Sequence, residues 1–555
     1  MVMRVSRLFV PLAAVGWMLV VMMPAPRAQE TPTGSPGGAR TTPSTIPAHA
    51  DVSFATSDNC VACHNGLTTP SGEDVSIGTA WRASMMANSS RDPYWQASVR
   101  REILDHPTAQ AAIEDECSIC HMPMARATAA AAGQPGRIFT WLPVAANASG
   151  DHRLAADGVS CALCHQIGPD RLGTPESFVG RFVLATGPSR MVGPYEIDPG
   201  RTTIMRSVTG SVPAEGAHLR QSEVCATCHT LITQALGPNG SHVGSLPEQV
   251  PYLEWRHSAF KEERSCQSCH MPAVADTPIS SVLGDPRDSM AKHTFLGGNF
   301  FMLRMLNRFR ADLGVEAQTQ ELDAAAHAVV RQLQRDTASV DVTRAERLAG
   351  TLEIDVTVRN RTGHKFPTGY PSRRSWLHLT VRDANGGAVF ESGAVNEKGM
   401  IGGNDNDTDP LTFEPHYQEI RRPDEVQIYE SMMADPAGRL TTGLLQAVAF
   451  VKDNRLLPRG FDKRTAAPEV AVRGSAADDS DFTDAGDRVR YRIDVGAANG
   501  PFTVAVELRY QPISFRWAEN LRRYDAPEPR RFVSSFDAMS TGSSVEIAQS
   551  SFLVP

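Results

Sequence analysis

No cysteine in this 555-residue chain stands alone, and none follows Cys269. Beyond the N-terminus there is no long apolar run of membrane-spanning type, and there is no basic tail or basic cluster. Each absence excludes something. A net charge of −8 without a basic patch argues against nucleic acid as a partner. All ten cysteines fall into five pairs, each separated by two residues and followed at once by histidine. A disulfide framework has no use for a histidine after every second cysteine. A zinc ribbon wants two pairs about 15–20 residues apart, whereas about 36 residues or more separate successive motifs here. A thioredoxin-like redox centre is one pair beside a βαβ pattern, not five without it.

The five motifs are Cys60-Val61-Ala62-Cys63-His64, Cys117-Ser118-Ile119-Cys120-His121, Cys161-Ala162-Leu163-Cys164-His165, Cys225-Ala226-Thr227-Cys228-His229 and Cys266-Gln267-Ser268-Cys269-His270. C-x-x-C-H is the attachment signature of c-type haem. The two thiols add to the two vinyl groups, and the next histidine turns its imidazole onto the iron. On a helical turn these residues sit at i, i+3 and i+4 and share one face, which suits attachment and ligation together. Ten cysteines therefore predict five covalent haems, with His64, His121, His165, His229 and His270 as proximal ligands.

The N-terminus predicts export. Arg4 and Arg7 precede an apolar run from Leu8 to Met23, and Pro24-Ala25-Pro26-Arg27-Ala28 offers small residues for cleavage near Ala28. Residues 1–28 thus read as a secretory signal peptide. The 16-residue run, broken by Pro11 and Gly16, is short against the roughly 20 residues needed to cross a bilayer. No cysteine lies near that site, which excludes a lipoprotein anchor. Residues 29–50, rich in Pro, Thr, Ser and Gly, predict a disordered linker. The expected location is periplasmic or extracellular in a bacterium, with no stable membrane span after cleavage.

Residues 51–307 predict a mostly α and loop multihaem domain whose apolar core is the cofactors themselves. Asp92-Pro93 marks a helix start running to Asp105. Two connecting helices are expected after the last motif, over 299–312 and 316–336, with residues 308–336 linking to the C-terminal part. From about Thr337 the apolar period changes to alternation. Leu352, Ile354, Val356 and Val358 point one way, with Glu353, Asp355 and Thr357 between them. Trp376–Val381 and Ala388–Phe390 flank Asp383-Ala384-Asn385-Gly386-Gly387, a hairpin signal. Further strands are expected at 426–429, 446–451, 489–495 and 502–510. Residues 337–555 therefore read as an all-β, sandwich-like domain.

The sixth position of each iron draws on the eleven histidines outside the motifs. His218, in Gly216-Ala217-His218-Leu219, His293, beside Gly297-Gly298, and His152, nine residues before Cys161, are candidate distal ligands. His364 lies in Arg361-Thr362-Gly363-His364-Lys365-Phe366-Pro367, a loop between two expected strands. It is either part of a connecting turn or a ligand that the β domain presents to a haem, stapling the two domains together.

The motif surroundings add a resemblance. Trp81-Arg82-Ala83-Ser84-Met85-Met86, Cys120-His121-Met122-Pro123 and Cys269-His270-Met271-Pro272 make residues 51–299 similar to a multihaem cytochrome c superfamily. That superfamily holds tetrahaem electron carriers of ammonia oxidation, ammonifying cytochrome c nitrite reductase and octahaem hydroxylamine oxidoreductase. The resemblance implies closely stacked haems and electron transfer. In the tetrahaem carriers a distal histidine stands two residues after the serine of Trp-x-x-Ser. Here that position is Met86, so Met86, Met85 or nothing fills one iron. The nitrite reductases replace one motif histidine by lysine, and all five motifs here end in histidine. An electron carrier serving redox protein partners is therefore expected ahead of an enzyme. The alternative is an oxidoreductase acting on a small nitrogen compound at a haem with an open distal face.

Overall fold

The computed structural model describes residues 53–143, 148, 150–185 and 190–555. The expected signal peptide and linker lie outside these residues. The described residues hold together as one compact unit, so the Cys-His segments and the strands after them pack against each other directly.

The first part, to about residue 298, is built from short helices, turns and small two-stranded sheets, the longest pairing Leu231–Leu236 with His242–Gln249. Its best-defined helix, Pro93–Asp105, starts where Asp92 accepts hydrogen bonds from Tyr94 N at 2.8 Å and Trp95 N at 3.2 Å, with Pro93 in the first turn. The second motif ends the helix Gln110–His121, and the other motifs occupy single helical turns. Gly78 is required beside the first of these. A Cβ there would sit 2.3 Å from Val61 Cγ1, inside the motif itself. The helices expected over 299–312 and 316–336 span Phe300–Arg308 and Thr319–Gln332. In the second, Glu321 accepts from Gln318 N at 3.0 Å, closing a capping box.

Strands dominate from Ala338. Thr351–Asn360 pairs antiparallel with Ala338–Leu348 on one side and Asp487–Asp494 on the other, and Glu419–Ile420 extends that sheet. A second sheet runs Ala388–Ser392, Arg374–Arg382, Phe502–Gln511, Val545–Val554, with Ile428–Tyr429 against Arg374–Arg382. Leu352, Ile354, Val356 and Val358 of one sheet and Leu377, Leu379, Val504 and Val506 of the other belong to one buried cluster. Burial of such side chains is the main favourable term in holding the sheets together.

The C-terminal part is not made of strands alone, as the alternating pattern implied. Helices Phe515–Leu521 and Pro527–Asp537 interrupt it. Proline at the start and Phe532, Val533 and Phe536 along one face explain the second. It lies on Pro93–Asp105, where Phe532 meets Tyr94 and Arg100 pairs with Glu528 at 2.9 Å. The two parts are thus joined by apolar contact and by ion pairs.

Candidate haem sites

Each motif sets its histidine beside its cysteines, and in four of them a distant carbonyl then orients the imidazole. His64 Nδ1 meets Ile279 O at 2.6 Å, His121 Nδ1 meets Ser89 O at 3.1 Å, and His165 Nδ1 meets Val192 O at 2.6 Å. His270 Nδ1 donates to Leu296 O. An imidazole whose Nδ1–H donates to a carbonyl keeps its lone pair on Nε2, the tautomer that binds metal. Burial lowers the pKa of His165 and His270, and takes His121 and His229 down to about 4, which keeps these rings neutral. Trp95 adds a second constraint at His121. Its ring stacks on the imidazole with centroids 4.4 Å apart and planes 7° from parallel.

Two of the proximal histidines have another imidazole opposite. His293 faces His165 with ring centroids 6.4 Å apart and planes 17° from parallel. His364 faces His270 at 6.3 Å and 20°. His293 Nδ1 bonds Ala291 O at 3.0 Å and His364 Nδ1 bonds Lys365 O at 2.9 Å, so in all four rings Nε2 is the free nitrogen. Two metal–nitrogen bonds of about 2 Å each, plus the ring radii, fill such a gap with one metal between the rings. Burial brings both His293 and His364 to about 4. The residues present fit bis-imidazole haem at these two motifs.

The other candidates are placed differently. His218 is buried, but its Nε2 donates to Ile167 O at 2.8 Å, so Nδ1 is the nitrogen left for a metal. His152 is exposed on the helix Asp151–Ala156. Met86 packs beside the third motif, against the cluster of Met124, Val159, Leu163 and Phe182, where His165 already has His293 opposite. Among the described residues no imidazole is stacked across from His64, His121 or His229.

The motifs do not simply follow one another in space in chain order. The thiols of Cys60 and Cys161 interact, as do those of Cys120 and Cys228 and of Cys225 and Cys266. Cys164 also lies close enough to Cys228 to feel its charge. The first motif therefore adjoins the third, the third adjoins the fourth, and the second and fifth both adjoin the fourth. Nothing in the spacing of the five motifs announces this branch.

One further cluster has metal-ligating side chains, His416, Asp479 and Asp487, all buried. Gln427 Nε2 and Asn454 Nδ2 approach His416 Nδ1 at 2.8 and 3.2 Å. Both amides are oriented by other bonds, since Gln427 Oε1 accepts from Tyr417 N and Asn454 Oδ1 from Glu430 N. Nδ1 is thus the acceptor, and Nε2–H donates to Asp479 at 3.1 Å. A ring held in that tautomer has no lone pair on Nε2 for a cation.

No family model and no curated relative matches the sequence. Among solved structures, the chain is similar to a penta-haem cytochrome c552 from Thermochromatium tepidum, with a TM-score of 0.52 and 18% identity over 90% of this chain and 98% of that one. At that identity the likeness is one of fold, and it extends over the strand-rich C-terminal part as well as the Cys-His segments: this chain has the fold of a penta-haem cytochrome c.

Proposed function

We propose that this chain is an exported multihaem c-type cytochrome that holds five covalent haems and passes electrons between redox partner proteins. The observation that carries the proposal is the pairing of His165 with His293 and of His270 with His364, each at a separation one metal fills. Bound there, c-type haem supplies an iron that changes by one electron without changing its ligands. The protein's part is to hold that ligand set still. Backbone carbonyls fix the imidazole tautomers, and burial keeps the imidazoles neutral. The cysteine neighbours support a route from the first motif to the third to the fourth, with branches to the second and fifth. The fourth motif is the junction.

Export is supported by Arg4, Arg7 and the apolar run from Leu8 to Met23. Among the described residues no helix is long and apolar enough to cross a membrane. The acidic balance of the chain favours partners with a positively charged face.

A second reading rests on a specific observation, that His64, His121 and His229 lack a facing imidazole among the described residues. An iron open on one side binds small molecules, so one of these motifs would serve an oxidoreductase acting on a small nitrogen compound. Mixing the holoprotein with small redox proteins, and separately with nitrite and with hydroxylamine, separates the two readings. The carrier reading expects rapid electron exchange and no turnover. Robust turnover of either compound favours the enzyme.

A further inference from the structure

His364 reaches His270 from a loop of the strand-rich part, and what holds that loop in place is a buried network of charges. Lys365 is the next residue and is inaccessible to solvent, as is Glu254 of the helix Pro251–Arg256. Glu254 Oε2 accepts from Lys365 N at 3.1 Å and from the Thr368 hydroxyl. On its other oxygen, Arg455 Nη1 stands 2.8 Å away as an ion pair. Arg455 in turn grips Asp453 through two bonds of 2.8 Å, and Asp453 Oδ2 accepts from Lys365 Nζ at 2.7 Å. The four charges balance. Pairing of opposite charges is the condition under which ions persist in a protein interior.

The network closes on the imidazole. Lys365 is held at its N–H by Glu254 and at its ammonium by Asp453, and its carbonyl is the group that accepts from His364 Nδ1 at 2.9 Å. Gly363 is pressed against the same helix, where a Cβ would lie 3.4 Å from Trp255 Cδ1, and against Phe260 of the following turn, at 3.2 Å. The charge of Glu254 is also felt at the His364 ring. The helix bearing Glu254 is tied to the fourth motif, since Tyr252 N donates to His229 O at 3.5 Å.

We infer that Glu254 is a positioning residue for His364: through the Lys365 backbone it sets the orientation of this imidazole opposite His270, and its buried negative charge lowers the reduction potential of the iron between them. The inference rests on the reading of His364 as a ligand. Outer groups that orient a ligand imidazole tune the metal in this way. Removing a buried anion beside an iron disfavours the ferric state, so the potential moves up.

The test uses the full holoprotein and its variants. His364→Ala identifies the haem concerned, because that haem alone becomes high-spin in low-temperature EPR. Glu254→Gln keeps the shape and removes the charge. The same haem is then expected to stay low-spin, with altered g values and a raised potential in spectroelectrochemical titration. Glu254→Asp is expected to restore the potential in large part. Thr368→Val, which removes one bond to the carboxylate and no charge, is expected to change the g values with a smaller change in potential, and it carries the test if Glu254→Gln yields no holoprotein. If His364→Ala opens a haem while the other variants leave its g values and potential unchanged, the inference is overturned and the ligand reading stands. If His364→Ala leaves every haem as it was, both fall.

Discussion

His293 and His165 face each other across 6.4 Å, although 128 positions separate them in the chain, with planes only 17° from parallel. Each is tied by Nδ1 to a carbonyl, His293 to Ala291 and His165 to Val192. Two neutral rings gain little from meeting at that distance, since direct contact between stacked rings needs centroids closer than this. A metal between the two free nitrogens gives the arrangement its purpose. Replacing His293 by Ala is therefore expected to turn one haem high-spin and make it bind carbon monoxide when reduced, leaving the remaining haems unchanged. Absorption and EPR spectra of the variant check this, and a parent-like spin state removes His293 from the ligand set.

His364 does the same for His270 but from the strand-rich part of the chain. Its loss is expected to have two effects together. One haem opens to carbon monoxide, and limited proteolysis cuts faster around residues 361–373, because a metal bond that bridges two parts of a fold contributes to its stability. An opened haem without faster cleavage there would mean that the ion network alone holds the joint.

The Cys-His motifs, the helix starting at Asp92-Pro93 and the hairpin Arg374–Ser392 were legible because each has a local cause: a covalent chemistry, a cap and a turn. His293 and His364 stood out as residues, but their partners did not, because pairing across a haem is set by tertiary packing. The carbonyls of Ser89, Val192, Ile279 and Leu296 leave no trace in side-chain identity. Trp95 on His121 and Glu254 under Lys365 are likewise contacts between distant segments. The helix Pro527–Asp537 is a different matter. Its proline start and its stripe of Phe532, Val533 and Phe536 are local signals, masked by the run of strands around them.

Arg374 and Asp407 form a bidentate pair at 2.8 and 2.9 Å, with side chains 2% and 0% exposed. Arg374 also donates to Gln511, and Asp407 accepts from Ile401 N. Asp407→Ala leaves a buried guanidinium without its counter-ion and is expected to cost about 3–5 kcal/mol of stability. Chemical denaturation followed by tryptophan fluorescence measures it. A loss below about 1 kcal/mol, the range of an exposed pair, would show that solvent reaches the site.

His378 and Glu507 lie opposite each other on neighbouring strands, and Glu391 meets the other ring nitrogen at 2.9 Å. Burial opposes a charge on His378, but hydrogen bonds to both carboxylates outweigh it and hold its pKa above the ordinary 6.5. The bond from His378 brings Glu507 down to about 2 against the opposing effect of burial, with help from Arg509. The Glu507 contribution is present above its ordinary 4.5 and is lost as pH falls through about 2. The His378 contribution is present below 6.5 and is lost as pH rises through its raised value. His378→Ala should therefore cost more stability near pH 5.5 than near pH 9. An equal cost at both would mean that the bridge carries no net charge interaction.

All ten cysteines pair into haem-attachment motifs, so each is expected to anchor haem. Intact mass of the mature protein, measured after acid–acetone extraction under denaturing conditions, tests it without reference to ligands, partners or potentials. Five covalent haem increments on the polypeptide mass are expected. Four increments or fewer in fully matured material would mean that at least one Cys-His motif holds no haem.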